Sequence, residues 1–299
     1  MLNNEPERQP WLKLSFLFIY IFLLGLLNVM GGDDEIPMNL DNPNTIAVLK
    51  IIQGFSVLVI FVFPALLFAA FWTKSRIHYL GITAMPSMRT LIIAGIGMLF
   101  AMPMINWLSD INQHLSLPEA FSGIETWMKQ SEEKAKVLTE AFTKGSTVNV
   151  LILNLVVIAL MAALSEEIFF RGVLQKVLIE CFHNKHVGVW ISAIIFSAFH
   201  MQFFGFLPRM LMGAYLGYLF LWSGSLWPSI IAHFINNGTA VFLIWLVNRG
   251  VITEDADKVG IQEGEWIYVL TSVLMVALSL FWVYRIEKKK LFLMENFQV

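Results

Sequence analysis

Apolar residues in this chain do not recur at a helical spacing against a polar background. They run on without interruption, for lengths that only a bilayer demands. A helix crosses the hydrocarbon layer with roughly 17 to 25 predominantly apolar residues, and about eight such runs stand at 11–30, 47–73, 91–108, 148–180, 187–204, 206–222, 226–247 and 266–285. The pattern predicts an all-α fold, a polytopic transmembrane bundle of about eight helices, forming a single membrane domain over 1–299. The run at 148–180 exceeds a simple crossing and is expected as a long or broken helix whose second half carries EEIFFR, residues 166–171. The fifth to seventh runs are joined by FFGF and SGSLW, links short enough to make their helices neighbours. Pro64, Pro103, Pro208 and Pro228 lie in or at the ends of runs, where a bundle tolerates kinks. No small-x-small cleavage pattern closes the run at 11–30, so it is expected to remain as the first helix.

The segment 109–147 departs from this pattern. Within it, ETWMKQSEEKAKVLTEAF (125–142) predicts one amphipathic, partly interfacial helix. Basic residues orient the remainder. Arg8, Lys13, Lys74, Arg76, Arg89, Lys176, Lys185, Arg285 and Lys288 to Lys290 fall on one side if the spans alternate, and GGDDEIPMNLDNPN (31–44), with no basic residue, falls on the other. Both termini are therefore expected in the cytoplasm, and 109–147 on the extracytoplasmic side. Composition agrees, since 57% hydrophobic and 14% charged residues with a mean hydropathy of +0.68 do not suit a water-soluble globule. A net charge of −2 provides no basic surface for nucleic acid. The single cysteine, Cys181, excludes an intrachain disulfide and reads as a small apolar filler.

Ionisable groups within a bilayer cost about 2.5–3.5 kcal/mol each even on the lenient insertion scale, so each needs a reason. The predicted spans contain Glu166, Glu167, Arg171, His200, Arg209 and His233, with the polar Asn236 and Asn237. Glu167 and Arg171 are four apart and share a face, whereas Glu166 is rotated by roughly 100° from Glu167. One carboxylate is thus neutralised and the other left available, the condition of a general base. The structural alternative, an ion-pair network that only fixes the bundle, leaves Glu166 without a partner. FSAFH (196–200) sets Phe196 and His200 on one face, where a lone histidine is by itself more often a satisfied core residue. HFINN (233–237) sets His233 and Asn237 on one face, and an imidazole and an amide so placed can both donate to one oxygen, as an oxyanion requires. At 1.5 Å per residue, Glu166 and His200 lie about 20 Å, Asn237 about 16 Å and His233 about 10 Å from the cytoplasmic ends of their spans. Three spans thereby carry polar groups to broadly similar depth. Of the others, His183 and His186 read as solvated loop residues, and Arg209 as snorkelling to the interface or pairing with a neighbour. Trp11, Trp72, Trp222 and Trp227 read as interfacial anchors.

EExxxR from Glu166 to Arg171, FxxxH from Phe196 to His200 and HxxxN from His233 to Asn237, in this order on successive hydrophobic segments, resemble the CAAX-processing and bacteriocin-processing (CPBP, or ABI) family of intramembrane proteases. RGVLQ, which begins at Arg171, is also similar to it. The resemblance covers residues 150–245, the expected catalytic core. It implies an eight-helix membrane protease whose catalytic groups open to a water-filled cavity on the cytoplasmic side. Residue by residue, it implies that Glu166 activates a water with help from His200, and that His233 with Asn237 steadies the tetrahedral intermediate. Glu167, Arg171 and Phe196 would orient the site.

The family is commonly labelled metalloprotease, and Glu166, His200 and His233 are the ligand candidates for zinc with an open fourth position. Against zinc, the helical HExxH pair is absent, and His233 shares its face with Asn237, which suits an oxyanion clamp better than a closed metal shell. A glutamate-dependent hydrolysis with no firm cofactor is the favoured expectation. The expected substrate is a membrane-associated protein or peptide cleaved near its end, with lipidated CAAX proteins, bacteriocin-like peptides and signalling precursors as options. The expected location is the plasma membrane of a bacterium, with no nucleic-acid partner. Two other classes compete: a non-proteolytic immunity factor or scaffold of the same fold, and a proton-coupled transporter, against which the lack of a visible inverted repeat argues.

Overall fold

Hydrocarbon supplies no partner for a backbone N–H or C=O, so each apolar run must close its own hydrogen bonds as a helix. The computed structural model describes residues 10–30, 40–115, 117–253, 258–262 and 264–297, and among them there are helices and no strand. α1 (Pro10–Met30) is followed by α2 (Pro43–Val57), which Asn42 caps by accepting from the Asn44 N–H. α2 passes through a π-helical stretch, Leu58–Val62, into α3 (Phe63–Trp72). Pro64 lacks an N–H and its ring crowds the preceding turn. The wider π turn immediately before it absorbs that crowding without ending the helix.

After the short α4 (Arg76–Leu80), the run expected at 91–108 divides into α5 (Met88–Leu99) and α6 (Met102–Gln113), which meet at 43° with Pro103 in the first turn of α6. α7 (Ser122–Thr143) is the single amphipathic helix that the charge pattern predicts. The long fourth run is unbroken. α8 (Val148–Asn154), a π stretch Leu155–Met161, α9 (Ala162–Phe169), a second π stretch Phe170–Leu174 and α10 (Gln175–Phe182) make one continuous helix of 35 residues. It is about 50 Å long, against about 30 Å of hydrocarbon.

His183, left-handed at φ 51, ends α10, and Asn184 caps α11 (Lys185–Phe199). These two helices approach at Gly188, where a Cβ would lie 2.8 Å from the backbone nitrogen of Ile179. A 3₁₀ turn, Phe203–Gly205, leads into α12 (Phe206–Ser223), then come α13 (Trp227–Asn248) and α14 (Trp266–Phe297). All eight apolar runs are helical, but length alone supports fewer crossings than expected. Among the described residues five helices are long and apolar enough to span, or six if α5 and α6 count as one. α11, expected to reach 204, has 15 residues and stops because Met201 turns left-handed at φ 54. At about 22 Å it falls short of the hydrocarbon thickness.

The bundle is apolar outside and polar inside, as lipid requires. Phe55 of α2, Val59 of the π stretch after it, Phe63 of α3 and Leu270, Leu274 and Phe281 of α14 are exposed, whereas Glu167, Arg171, Gln175 and His233 are buried. Phe61, Phe169, Phe170 and Phe196 fill the space between them. The four tryptophans expected at interfaces also pack: Trp72 stacks on Phe68 at 4.7 Å, Trp11 lies edge-on to Phe182 at 5.7 Å, Trp222 is 5.0 Å from Tyr218, and Trp227 donates its indole N–H to the carbonyl of Ile82.

Candidate active site

Neighbouring residues on α9 leave the helix in different directions, and Glu166 and Glu167 consequently meet different partners. Glu167 is fully buried, and its Oε1 accepts from Arg171 Nη1 at 2.7 Å and from His233 Nδ1 at 2.8 Å. Arg171 donates Nη2 to the carbonyl of Gly213 at 2.9 Å and lies 4.6 Å over the ring of Phe196. The ion pair predicted by the four-residue spacing therefore also ties α9 to α12 and α13. A charge so deeply buried persists only when it is paired and hydrogen-bonded.

One turn further on the pattern repeats, because Gln175 donates Nε2 to the carbonyl of Gly217 at 3.0 Å. Two side chains four apart thus read the carbonyls of two glycines four apart. A side chain would crowd the approach at both places. A Cβ at Gly213 would lie 3.2 Å from Ala193 and Phe196, and one at Gly217 2.8 Å from Gln175 Oε1. Gly213 and Gly217 are not among the residues that the motifs predict, and Gln175 enters only as the last residue of RGVLQ, with no role assigned. The small-xxx-small spacing within GAYLG (213–217) is the signal that marks them.

Glu166 has no such partner. It is 8% exposed, and its Oε2 makes no hydrogen bond. That oxygen lies 3.9 Å from His200 Nε2 and 3.9 Å from His233 Nε2. His200 sits at the C-cap of α11, with Nδ1 at 2.9 Å from the carbonyl of Phe196. A carbonyl and a carboxylate can only accept, so Nδ1 carries a hydrogen in both rings and Nε2 of each faces Glu166. Phe196 is the spacer, its ring 5.1 Å from His200 and 5.8 Å from His233. The result is a cluster of three polar atoms, Glu166 Oε2 and two Nε2, from three helices. The His200 side chain is 29% exposed and that of His233 is 2%, so the cluster is approached past His200.

A water meets this arrangement, since two acceptors 3.9 Å apart can both be reached by one water at ordinary hydrogen-bond distances. Zinc does not meet it as well. The donors are of the right kind, but tetrahedral ligands at about 2.0–2.1 Å stand only about 3.3 Å apart. Among the described residues no group of three His, Cys, Asp or Glu side chains has the geometry to hold a metal.

Two other predicted residues make hydrogen bonds outside the cluster. Asn237 donates Nδ2 to the carbonyl of Ile158 at 3.4 Å and accepts from Asn236 at 3.1 Å. Ile158 belongs to the first π stretch, where the regular ladder is interrupted and a carbonyl needs another donor. The amide is therefore engaged by that carbonyl and by Asn236. Arg209, expected to snorkel or to pair with a neighbour, donates to the carbonyl of Gln202 at 3.2 Å.

Residues 148–239, which hold all three motifs, match a family described as type II CAAX prenyl endopeptidase Rce1-like. The protein YpbD of Bacillus subtilis (strain 168) is 32% identical over 98 residues, 31% of this chain and 44% of that protein, so the chain aligns with less than half the length of this curated relative. No solved structure matches. The matched family is described as one of endopeptidases, and among the described residues five or six helices of this chain are long and apolar enough to cross a membrane.

Proposed function

We propose, from the Rce1-like character of residues 148–239 and the surroundings of Glu166, that this chain is an intramembrane endopeptidase that attacks a peptide bond with a water activated by Glu166. The observation that carries the reading is the unpartnered Glu166 oxygen lying 3.9 Å from both imidazole Nε2 atoms. A water there donates its two O–H bonds to two of the acceptors and keeps a lone pair for attack. As that oxygen bonds to the substrate carbonyl carbon, Glu166 takes a proton from it. When the tetrahedral intermediate collapses, the C–N bond breaks and Glu166 returns the proton to the leaving amine. The two histidines then take different roles. His200, hydrogen-bonded to a neutral carbonyl, orients the water as an acceptor. His233 has the Glu167 carboxylate on Nδ1, which can neutralise an imidazolium, so the ring acts here with a second proton taken up from solvent before the attack, donating from Nε2 to the oxyanion and keeping that proton throughout. Asn237 joins it once its amide turns from the long contact with Ile158.

The substrate in this reading is a membrane-associated protein or peptide, with prenylated ones in line with the family's description. Glu166→Gln keeps the side chain's shape and removes the base. Cleavage of a lipidated peptide by protein in liposomes should fall about 10²- to 10⁴-fold, and undiminished turnover would exclude the mechanism. A strong chelator is expected to leave cleavage intact. Loss on chelation, restored by added zinc, would make Glu166, His200 and His233 ligands instead.

A further inference from the structure

Arg209 is an intramembrane charge that the water chemistry does not use, and such charges are costly enough to mark function. It stands in the first turn of α12, and its hydrogen bond goes to Gln202, in the turn that follows His200. Its guanidinium interacts electrostatically with two carboxylates, Glu132 of α7 and Glu166, and with His200. α7 is seated on the same corner, with the ring of Trp127 at 5.3 Å from that of Phe203. Glu132 Oε2 is buried there without a hydrogen-bond partner. This corner flanks His200, the exposed edge of the cluster.

A peptide unit offers a C=O to a guanidinium and an N–H to a carboxylate. A terminal carboxylate would satisfy Arg209 but face repulsion from Glu132 and Glu166. We propose that Arg209 and Glu132 form a substrate clamp at the mouth of the site, Arg209 donating to a backbone carbonyl and Glu132 accepting a backbone N–H on one side of the scissile bond. The proposal rests on the protease reading and adds that a neutral, extended peptide segment is held at this place in preference to a free carboxylate.

The test reads binding of a fluorescein-labelled lipopeptide by anisotropy to the full chain carrying Glu166→Gln in nanodiscs, which makes it independent of turnover. Arg209→Gln and Glu132→Gln, each added to that background, should weaken binding about tenfold, as losing a hydrogen bond to a charged group does. In a set of probes with one backbone N–H at a time replaced by an ester oxygen, one position should lose affinity when Glu132 is present and lose nothing further in Glu132→Leu, which has no acceptor. Unchanged binding in both variants, no ester position that depends on Glu132, or no binding by the parent overturns the clamp. So does an Arg209 effect confined to probes with a free C-terminal carboxylate. Thermal unfolding of each variant separates lost binding from lost fold. Persistent cleavage by the Glu166→Gln chain would strike the protease reading and leave this binding result standing.

Discussion

Glu167 holds two donors on one oxygen, Arg171 Nη1 and His233 Nδ1, in a place with no exposed surface. Removing its charge strands the Arg171 guanidinium in the bundle, a change worth about 3–5 kcal/mol when one partner of a buried pair is lost. Glu167→Gln is therefore expected to lower the unfolding temperature and also to reduce kcat, because His233 loses the carboxylate that steadies it. Glu166→Gln should behave in the opposite way, holding or raising the unfolding temperature while cleavage falls, because it replaces a buried carboxylate oxygen that has no partner. Thermal unfolding and steady-state kinetics on the two variants separate these effects, and equal destabilisation by both would contradict the division. The Glu167–Arg171 pair was legible from its spacing within one helix. The bond from His233 to Glu167 was not, because it joins residues 66 positions apart through the packing of α9 on α13.

α12 packs on α11 along a stripe of glycines, and Arg171 and Gln175 reach the main-chain carbonyls of Gly213 and Gly217 there. A methyl at Gly217 would stand 2.8 Å from Gln175 Oε1 and 2.9 Å from Val189 Cγ1. Gly217→Ala should force these helices apart, cost roughly 1–3 kcal/mol as overpacking does, and lower activity through the displaced site. A methyl at Gly123 in α7 would meet no packing neighbour within 4 Å among the described residues, so Gly123→Ala should be neutral or stabilise by up to about 1 kcal/mol. Unfolding temperatures in detergent check both, and similar values for the two would remove the packing argument. The helices themselves were legible as apolar runs. Their interruptions were only partly so: Pro103 marks the bend between α5 and α6 and Gly172 lies in the π stretch Phe170–Leu174, but the π stretch Leu155–Met161 contains no proline or glycine that would reveal it.

For the molecule as a whole, the basic residues predict which face meets the cytoplasm. In a Cys181→Ser background, Lys185→Cys should resist a membrane-impermeant maleimide in intact cells and Lys129→Cys, on the exposed side of α7, should react. The reverse labelling would invert the proposed orientation. The sequence by itself determined that the chain is a bundle of membrane helices, because unbroken apolar runs leave the backbone no other way to satisfy its hydrogen bonds in lipid. It also determined the contacts made within one turn, such as Glu167 with Arg171, since helical geometry alone sets them. Tertiary structure decided where α11 stops, that both imidazoles present Nε2 to Glu166, that Asn237 faces Ile158 and that Arg209 turns towards the site. Those outcomes depend on distances between helices, and spacing along a single chain does not encode them.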